Sequence, residues 1–249
     1  MDGTPYSSLY VTGTDTGVGK TLASSALLHA LRLQGARAFG MKPVASGCER
    51  IDGQWRNDDA LALQRAGTTP APPYADINPF ALPLPLAPEL AARDAGVAVS
   101  LDPLLAAYAR LRADADCVVV EGVGGWAAPL ATGLMQADLV RALSLPVVLV
   151  VGLRLGCLNH ALLSAEAVRA RGLVLAGWVA SVVDPSMLAP QANLQALRAR
   201  LGAPLLGVVP HLQQPGAAQA ARHIDLRALR ATAAHAARRA AAEESAALA

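Results

Sequence analysis

Nine residues near the N-terminus, Gly13-Thr14-Asp15-Thr16-Gly17-Val18-Gly19-Lys20-Thr21, leave little freedom in what can surround them. They follow a short apolar run, Leu9–Thr12, and open an amphipathic pattern over Lys20–Gln34, so the chain passes from strand through a glycine-rich turn to helix. Glycines let backbone curl around an anion with successive N–H groups pointing inward, and the helix N-terminus adds its positive end. Lys20 is placed to set its ammonium on terminal phosphate oxygens, and the Thr21 hydroxyl to hold Mg²⁺. Five residues separate Gly13 from Gly19 where four is usual. A glycine turn that merely capped a helix would not need Gly-Lys-Thr at the helix start, so a phosphate-binding loop is expected.

The rest of the chain repeats the strand–helix rhythm. Strands are expected at Leu9–Thr12, Ala38–Lys42, Cys117–Glu121, Val147–Gly152, Gly177–Val183 and Leu205–Val209. Runs such as Cys117-Val118-Val119-Val120 and Val147-Val148-Leu149-Val150-Val151 are apolar on both faces, as in a parallel sheet covered by helices on both sides. Helices are expected at Lys20–Gln34, Asp58–Arg65, Asp102–Arg112, Asn159–Arg171 and Gln191–Arg200. The expected fold is α/β: a doubly wound, mainly parallel sheet flanked by helices, of the P-loop NTPase type. Residues 1–229 form one domain in this reading, with an irregular, Pro-rich connection from Thr68 to Pro88. The Ala-rich tail, 230–249, is expected to be a frayed helix or disordered.

Bulk properties narrow the function. With 53% hydrophobic and 16% charged residues, the chain is not a disordered one. Twenty-one basic residues against 19 acidic, scattered along the sequence, give no footprint for nucleic acid. Cys48, Cys117 and Cys157 are odd in number and widely spaced, which argues for buried thiols rather than a disulfide framework or zinc site. No basic segment followed by an apolar run marks a signal peptide, and the longest apolar stretch, Leu145–Leu153, is too short to span a bilayer. A soluble, cytoplasmic protein that binds neither nucleic acid nor membrane is expected.

A phosphate loop carrying Mg²⁺ needs carboxylates to complete the metal's oxygen shell. Glu121 ends Val118-Val119-Val120 and precedes Gly122-Val123-Gly124-Gly125, which puts an acid at the carboxyl end of a strand, where such sheets bind ligands. Asp58 and Asp59 start the helix after the second strand. Asp58 is assigned the helix cap and Asp59 the metal, an assignment that spacing alone leaves open. Lys42 closes the second strand ahead of Pro43-Val44-Ala45-Ser46-Gly47, near enough to the same edge to place a second ammonium on transferring phosphate. His29, His160, His211, His223 and His235 are dispersed and form no ligand set.

In order along the chain, these motifs resemble the dethiobiotin synthetase family. The segments that carry the likeness are Val11–Thr16 with Gly19-Lys20-Thr21, the Lys42–Gly47 box, Arg56–Gln64, Asn78-Pro79 with Pro88, Val120–Trp126, Leu155–His160 and Leu175–Val179. The Lys-Pro-Val-x-Ser-Gly box together with Glu-Gly-x-Gly-Gly is specific, and the similarity runs from about Leu9 to about Leu229. The resemblance implies an ATP- and Mg²⁺-dependent cyclo-ligase that joins CO₂ (from bicarbonate) to 7,8-diaminopelargonate, giving dethiobiotin, ADP and phosphate. It implies that Lys42, Lys20 and Thr16 are catalytic, and that Thr21, Asp59 and Glu121 hold the metal. Nucleotide contacts fall on Gly17, Val18, Gly19, Lys20, Thr21 and Leu22, on Asp59, on Glu121, Gly122, Val123 and Gly124, and on Ser181, Pro210, His211 and Leu212. The substrate would meet Thr16, Lys42 and Ser46. A homodimer is implied too, the substrate's tail carboxylate reaching the partner at the turn of Gly156 and Asn159.

Three departures from the family pattern concern the nucleotide. Ser181 stands where the family has an asparagine that reads the purine, Gly17 where relatives often carry Glu, and Gln213-Gln214-Pro215-Gly216 lacks an acidic residue. A single hydroxyl cannot make the two-point contact of an amide, so relaxed base selectivity is expected. A partitioning ATPase, the rival class, would carry a lysine early in the loop, where Asp15-Thr16-Gly17 stands.

Overall fold

In a computed structural model, the structure describes residues 8–229, and the expected tail at 230–249 lies outside the described residues. The main sheet uses β1 (Leu9–Gly13), β2 (Ala38–Met41), β7 (Cys117–Gly125), β10 (Val147–Gly152), β11 (Leu175–Ser181) and β12 (Leu205–Val209). Between β2 and β7 lie β3 (Val44–Ser46), β4 (Glu49–Ile51), β5 (Gln54–Arg56) and β6 (Phe80–Leu82). A small hairpin, β8 (Pro129–Ala131) with β9 (Leu134–Met135), follows β7. The helices are α1 (Lys20–Leu33), α2 (Asp58–Ala66), α3 (Tyr74–Ile77), α4 (Pro88–Asp94), α5 (Leu101–Ala113), α6 (Gln136–Ala142), α7 (Cys157–Ala170), α8 (Pro190–Arg200) and α9 (Ala217–Ala221).

The main sheet has the order β12-β11-β10-β1-β7-β2, with every neighbouring pair parallel. Successive side chains of a strand point to opposite faces, and here both faces are buried. In β10, Val147, Leu149 and Val151 join one core with Tyr10, Val118, Val120 and Trp178, covered by α5, α6, α7 and α8. Val148 and Val150 join the other with Leu9, Val11, Val119 and Val179, under Leu27, Leu28 and Leu31 of α1, Leu63 of α2 and Ala220 of α9. This double burial is why the strands show continuous apolar runs. Among the described residues no helix is long and apolar enough to cross a membrane.

The strand order positions the site. After β1 the chain crosses to β2 at one edge, and after β7 it builds β10, β11 and β12 on the other side of β1. The direction of winding therefore reverses at β1, and ligands of open α/β sheets settle in the crevice outside the carboxyl ends at such a point. The glycine-rich loop, Glu121 and the segment after β2 all leave the sheet at that edge.

Several boundaries differ from the sequence expectation. β7 runs four residues past Glu121, to Gly125, because its last residues continue to pair alongside Gly13 of β1. β11 starts earlier than expected, at Leu175, and α7 starts at Cys157 behind a left-handed Gly156. The 68–88 connection is less irregular than expected, since it holds α3 and β6, and β6 pairs with β3. Strands of three residues are too short to display a period, so they leave no pattern to detect.

Candidate active site

Gly13 still belongs to β1, so the loop proper spans Thr14 to Gly19. A Cβ on Gly13 would lie 2.7 Å from a Val18 methyl, which explains a glycine at the start of a loop that folds back on itself. Gly17 and Gly19 have φ of 73° and 89°, the left-handed region that a glycine enters without strain. Gly19 caps α1 with no side-chain hydrogen bond, so the first-turn amides of Lys20, Thr21 and Leu22 remain for an anion. The Val18 side chain turns into the core, so only its backbone can serve the cradle.

The ammonium of Lys20 donates to the Asp15 carbonyl at 3.1 Å. Burial, then repulsion from Lys42, pushes its pKa down to about 8 against the opposing pull of Glu121, Asp59 and Asp15. Behind it lies a compact charge cluster. Lys42 Nζ donates to Glu121 Oε1 at 2.7 Å, to Asp59 Oδ2 at 2.9 Å and to the Gly122 carbonyl at 3.1 Å. Burial opposes this charge, but Glu121 and then Asp59 outweigh it and hold the Lys42 pKa above its usual value. The Asp59 carboxyl, despite partial burial, is held low by Lys42 and by its bond from Thr21. Thr21 Oγ1 sits 2.7 Å from Asp59 Oδ1 and 2.9 Å from Glu121 Oε1; its one proton can serve only one of them at a time.

This donor set suits Mg²⁺. Glu121 is fully buried, and its Oε2 has no hydrogen-bond partner, a carboxylate oxygen left for a cation. Two carboxylates and a hydroxyl are the sparse set of hard oxygens that Mg²⁺ uses beside phosphates and water. Among the described residues no three His, Cys, Asp or Glu side chains gather into a closed cage.

Asp59, not Asp58, faces the cluster. The helix cap is a correction: Asn57, whose Oδ1 accepts from the amides of Asp59 and Ala60, caps α2, and Asp58 is an exposed first-turn residue. Asn57 lies in extended backbone just outside the helix, the conformation a capping side chain requires.

A cavity of about 810 Å³ opens in front of the cluster. It brings together Thr16, Gly17, Gly19, Lys20, Thr21, Lys42, Ser46, Asp59, Val123 and Gly124 from the expected set. Ser46 Oγ is buried without a partner. One wall, Pro85-Leu86-Ala87-Pro88, is apolar; the resemblance marks only Pro88 in it, and Pro85, Leu86 and Ala87 give no signal because a Pro-rich connection carries no periodicity. Leu22 instead faces a second cavity of about 530 Å³, which shares Thr21 with the first and is bounded by His29, Arg65 and residues 215–218.

Other expected residues lie outside the main cavity. Ser181 is buried at the end of β11, its Oγ 2.7 Å from where a Cβ on Gly19 would stand, so it packs beneath the loop. Pro210, His211 and Leu212 follow β12. Gly156, with φ of 94°, caps α7, and Asn159 is exposed in that helix's first turn. Arg154, just before this turn, pairs with the Asp15 carboxylate and so ties the phosphate loop to it. Asn78 donates to the Lys42 carbonyl at 2.7 Å and fixes the backbone that delivers the lysine.

Residues 7–219 match the family described as an AAA domain. The chain is 61% identical over 219 residues to the ATP-dependent dethiobiotin synthetase BioD of Xanthomonas oryzae pv. oryzae, covering 88% of this chain and 97% of that one. It is 61% identical over 206 residues to the enzyme of the same name from Xylella fastidiosa, covering 83% and 91%. The chain belongs to the dethiobiotin synthetase family. Its chemistry is accordingly an ATP-dependent ligation that forms carbon–nitrogen bonds in biotin biosynthesis. Among solved structures, the cell division protein FtsY of Thermotoga maritima aligns with a TM-score of 0.51 at 16% identity, over 92% of this chain and 68% of that one. That likeness concerns the P-loop fold alone.

Proposed function

We propose that this site carboxylates 7,8-diaminopelargonate with CO₂ and closes the ureido ring at the expense of ATP, with Mg²⁺ held by Thr21, Asp59 and Glu121. The observation that carries the reading is that Lys20, Lys42, Thr21 and Asp59, with Glu121 bonded behind Lys42 and Thr21, line one cavity that continues past Ser46 to an apolar wall. Such a cavity suits a triphosphate end to end with a short aliphatic diamine.

One substrate amine attacks CO₂, forming an N–C bond and losing a proton to water; the product is an anionic carbamate. Its oxygen then attacks the γ-phosphorus, the bond from that phosphorus to the β-bridging oxygen breaks, and ADP leaves. The second amine attacks the carbamate carbon of the mixed anhydride, the C–O bond breaks, and phosphate departs, the amine's proton passing to it or to water as the ring closes. Lys20 and Lys42 offset the growing negative charge, while Thr16 and the unpartnered Ser46 hydroxyl are available to the carbamate and amine. Bound Mg²⁺ would neutralise charge on the β- and γ-phosphates.

The methylene chain would run along Pro85–Pro88, and its carboxylate toward Gly156 and Asn159 of a partner subunit. Leu155, 94% exposed beside that turn, is an apolar side chain a homodimer would cover. The nucleotide would lie from Gly17–Leu22 toward Ser181 and Pro210–Leu212. Three buried cysteine thiols suit a cytoplasmic setting. The test is product analysis with diaminopelargonate, bicarbonate and ATP: dethiobiotin should form in equal amount to ADP, and its absence would overturn the assignment.

A further inference from the structure

The segment Gly122-Val123-Gly124-Gly125 ends β7 beside the phosphate loop, and its last three residues line the cavity. Three of its four residues are glycine, whose backbone loses the most conformational freedom on ordering. Something must hold it. We propose that Gln136, the first residue of α6, is a positioning residue for the reaction, acting with Tyr10 to set this wall and, through Gly122, the seat of Lys42. The inference rests on the carboxylation reading of the site given above.

Gln136 is fully buried, and its amide is spent on this segment, on the Trp126 carbonyl that follows it and on Tyr10. Oε1 accepts from the Tyr10 hydroxyl at 2.7 Å and from the Val123 amide at 2.9 Å. Nε2 donates to the Gly125 carbonyl at 2.7 Å and the Val123 carbonyl at 2.9 Å, with the Trp126 carbonyl at 3.4 Å. A backbone N–H can only donate and a carbonyl can only accept, so these partners admit a single orientation of the side chain. The fit is close: a Cβ on Gly122 would stand 2.3 Å from Gln136 Oε1 and 2.4 Å from the Tyr10 oxygen. The Tyr10 ring meets Trp126 edge to face, with centroids 6.4 Å apart, which anchors the brace to β1.

The braced segment touches the reacting groups at two places. The Gly122 carbonyl is the third acceptor of Lys42 Nζ, at 3.1 Å. A Cβ on Gly124 would lie 3.5 Å from Thr16 Oγ1. Gln136 itself neither lines the cavity nor bonds to the charge cluster, so its effect passes through the backbone it holds.

Gln136→Leu keeps the volume and strands the amide's partners, and Gln136→Glu keeps the shape while setting a carboxylate oxygen against the Val123, Gly125 and Trp126 carbonyls. Both should lower kcat for dethiobiotin formation by about ten- to a hundredfold, the scale of a small misplacement of reacting groups. The Kd for ADP, most of whose expected contacts lie on Gly17–Leu22, Ser181 and Pro210–Leu212, should change far less than kcat, within about threefold. Hydrogen exchange at the Val123 amide should accelerate at least about tenfold while α1 amides keep their rates. If Gln136→Leu fails to fold, Tyr10→Phe, which removes one bond only, should still lower kcat several-fold at unchanged ADP affinity. A folded Gln136→Leu with kcat within about twofold of wild type, or a kcat loss matched by equal loss of ADP affinity, overturns the inference. Wild-type enzyme that makes no dethiobiotin would instead overturn the proposed function, and the exchange rates would then decide the brace alone.

Discussion

Replacing Lys42 with methionine removes a buried cation while leaving its carboxylate partners in place. Glu121 is fully buried and 2.7 Å from the ammonium, so it becomes an uncompensated interior charge, which costs about 3–5 kcal/mol. The Asp59 side chain is 41% exposed, so its share is screened to at most about 1 kcal/mol. The Gly122 carbonyl also loses its donor, a further loss of about 1 kcal/mol. Since such costs overlap, Lys42→Met should lose about 3–5 kcal/mol of folding stability, a third or more of what many domains possess. In equilibrium urea unfolding at 25 °C this is a fall of about 1–2 M in the midpoint. Adding Glu121→Gln should restore at least about 2 kcal/mol, because the stranded charge is gone. The Lys42 pKa lies above its unfolded value, so the wild-type contribution is complete below about pH 10.5 and is lost only as pH rises through the folded value. A loss under about 1 kcal/mol, or a double variant no better than the sum of the singles, would refute the argument that this ammonium balances a buried carboxylate.

Lys20, with its pKa pushed down to about 8, should make ADP affinity fall as pH rises above about 8; calorimetry near pH 9 in buffers of different ionisation enthalpy should show proton uptake on binding, absent in Lys20→Met. Glu121→Gln should raise the Mg²⁺ concentration needed for half-maximal activity by about tenfold, and an unchanged titration curve would remove Glu121 from the metal shell. Because Ser181 offers one hydroxyl where an amide would make two contacts, CTP or GTP should support turnover within about tenfold of ATP in kcat/KM. A preference for ATP of about a thousandfold would mean that other groups, with Pro210–Leu212 the first to test, read the base.

The phosphate loop, the parallel sheet and the presence of Lys42 and Glu121 at its carboxyl edge were legible in the amino-acid sequence. Each is encoded locally: glycines where the backbone must turn left-handed, apolar runs where both faces are covered, and a polar residue closing an apolar strand. What local signals could not carry was which groups meet. Asn57 rather than Asp58 caps α2, and that choice, which turns Asp59 toward Thr21, depends on a single extended backbone conformation. Lys42 spends its protons on residues 17, 79 and 80 positions away, and the apolar wall at 85–88 faces the site from a connection with no periodicity. Gln136 and Tyr10 are 126 positions apart, and neither residue type in its own surroundings suggests a function. Propensity and periodicity report a residue's neighbours in the chain, whereas a hydrogen-bonded charge cluster is assembled by crossover connections that bring distant strand ends to one edge. The sequence determined that this edge would bind phosphate; only the tertiary structure decided what braces it.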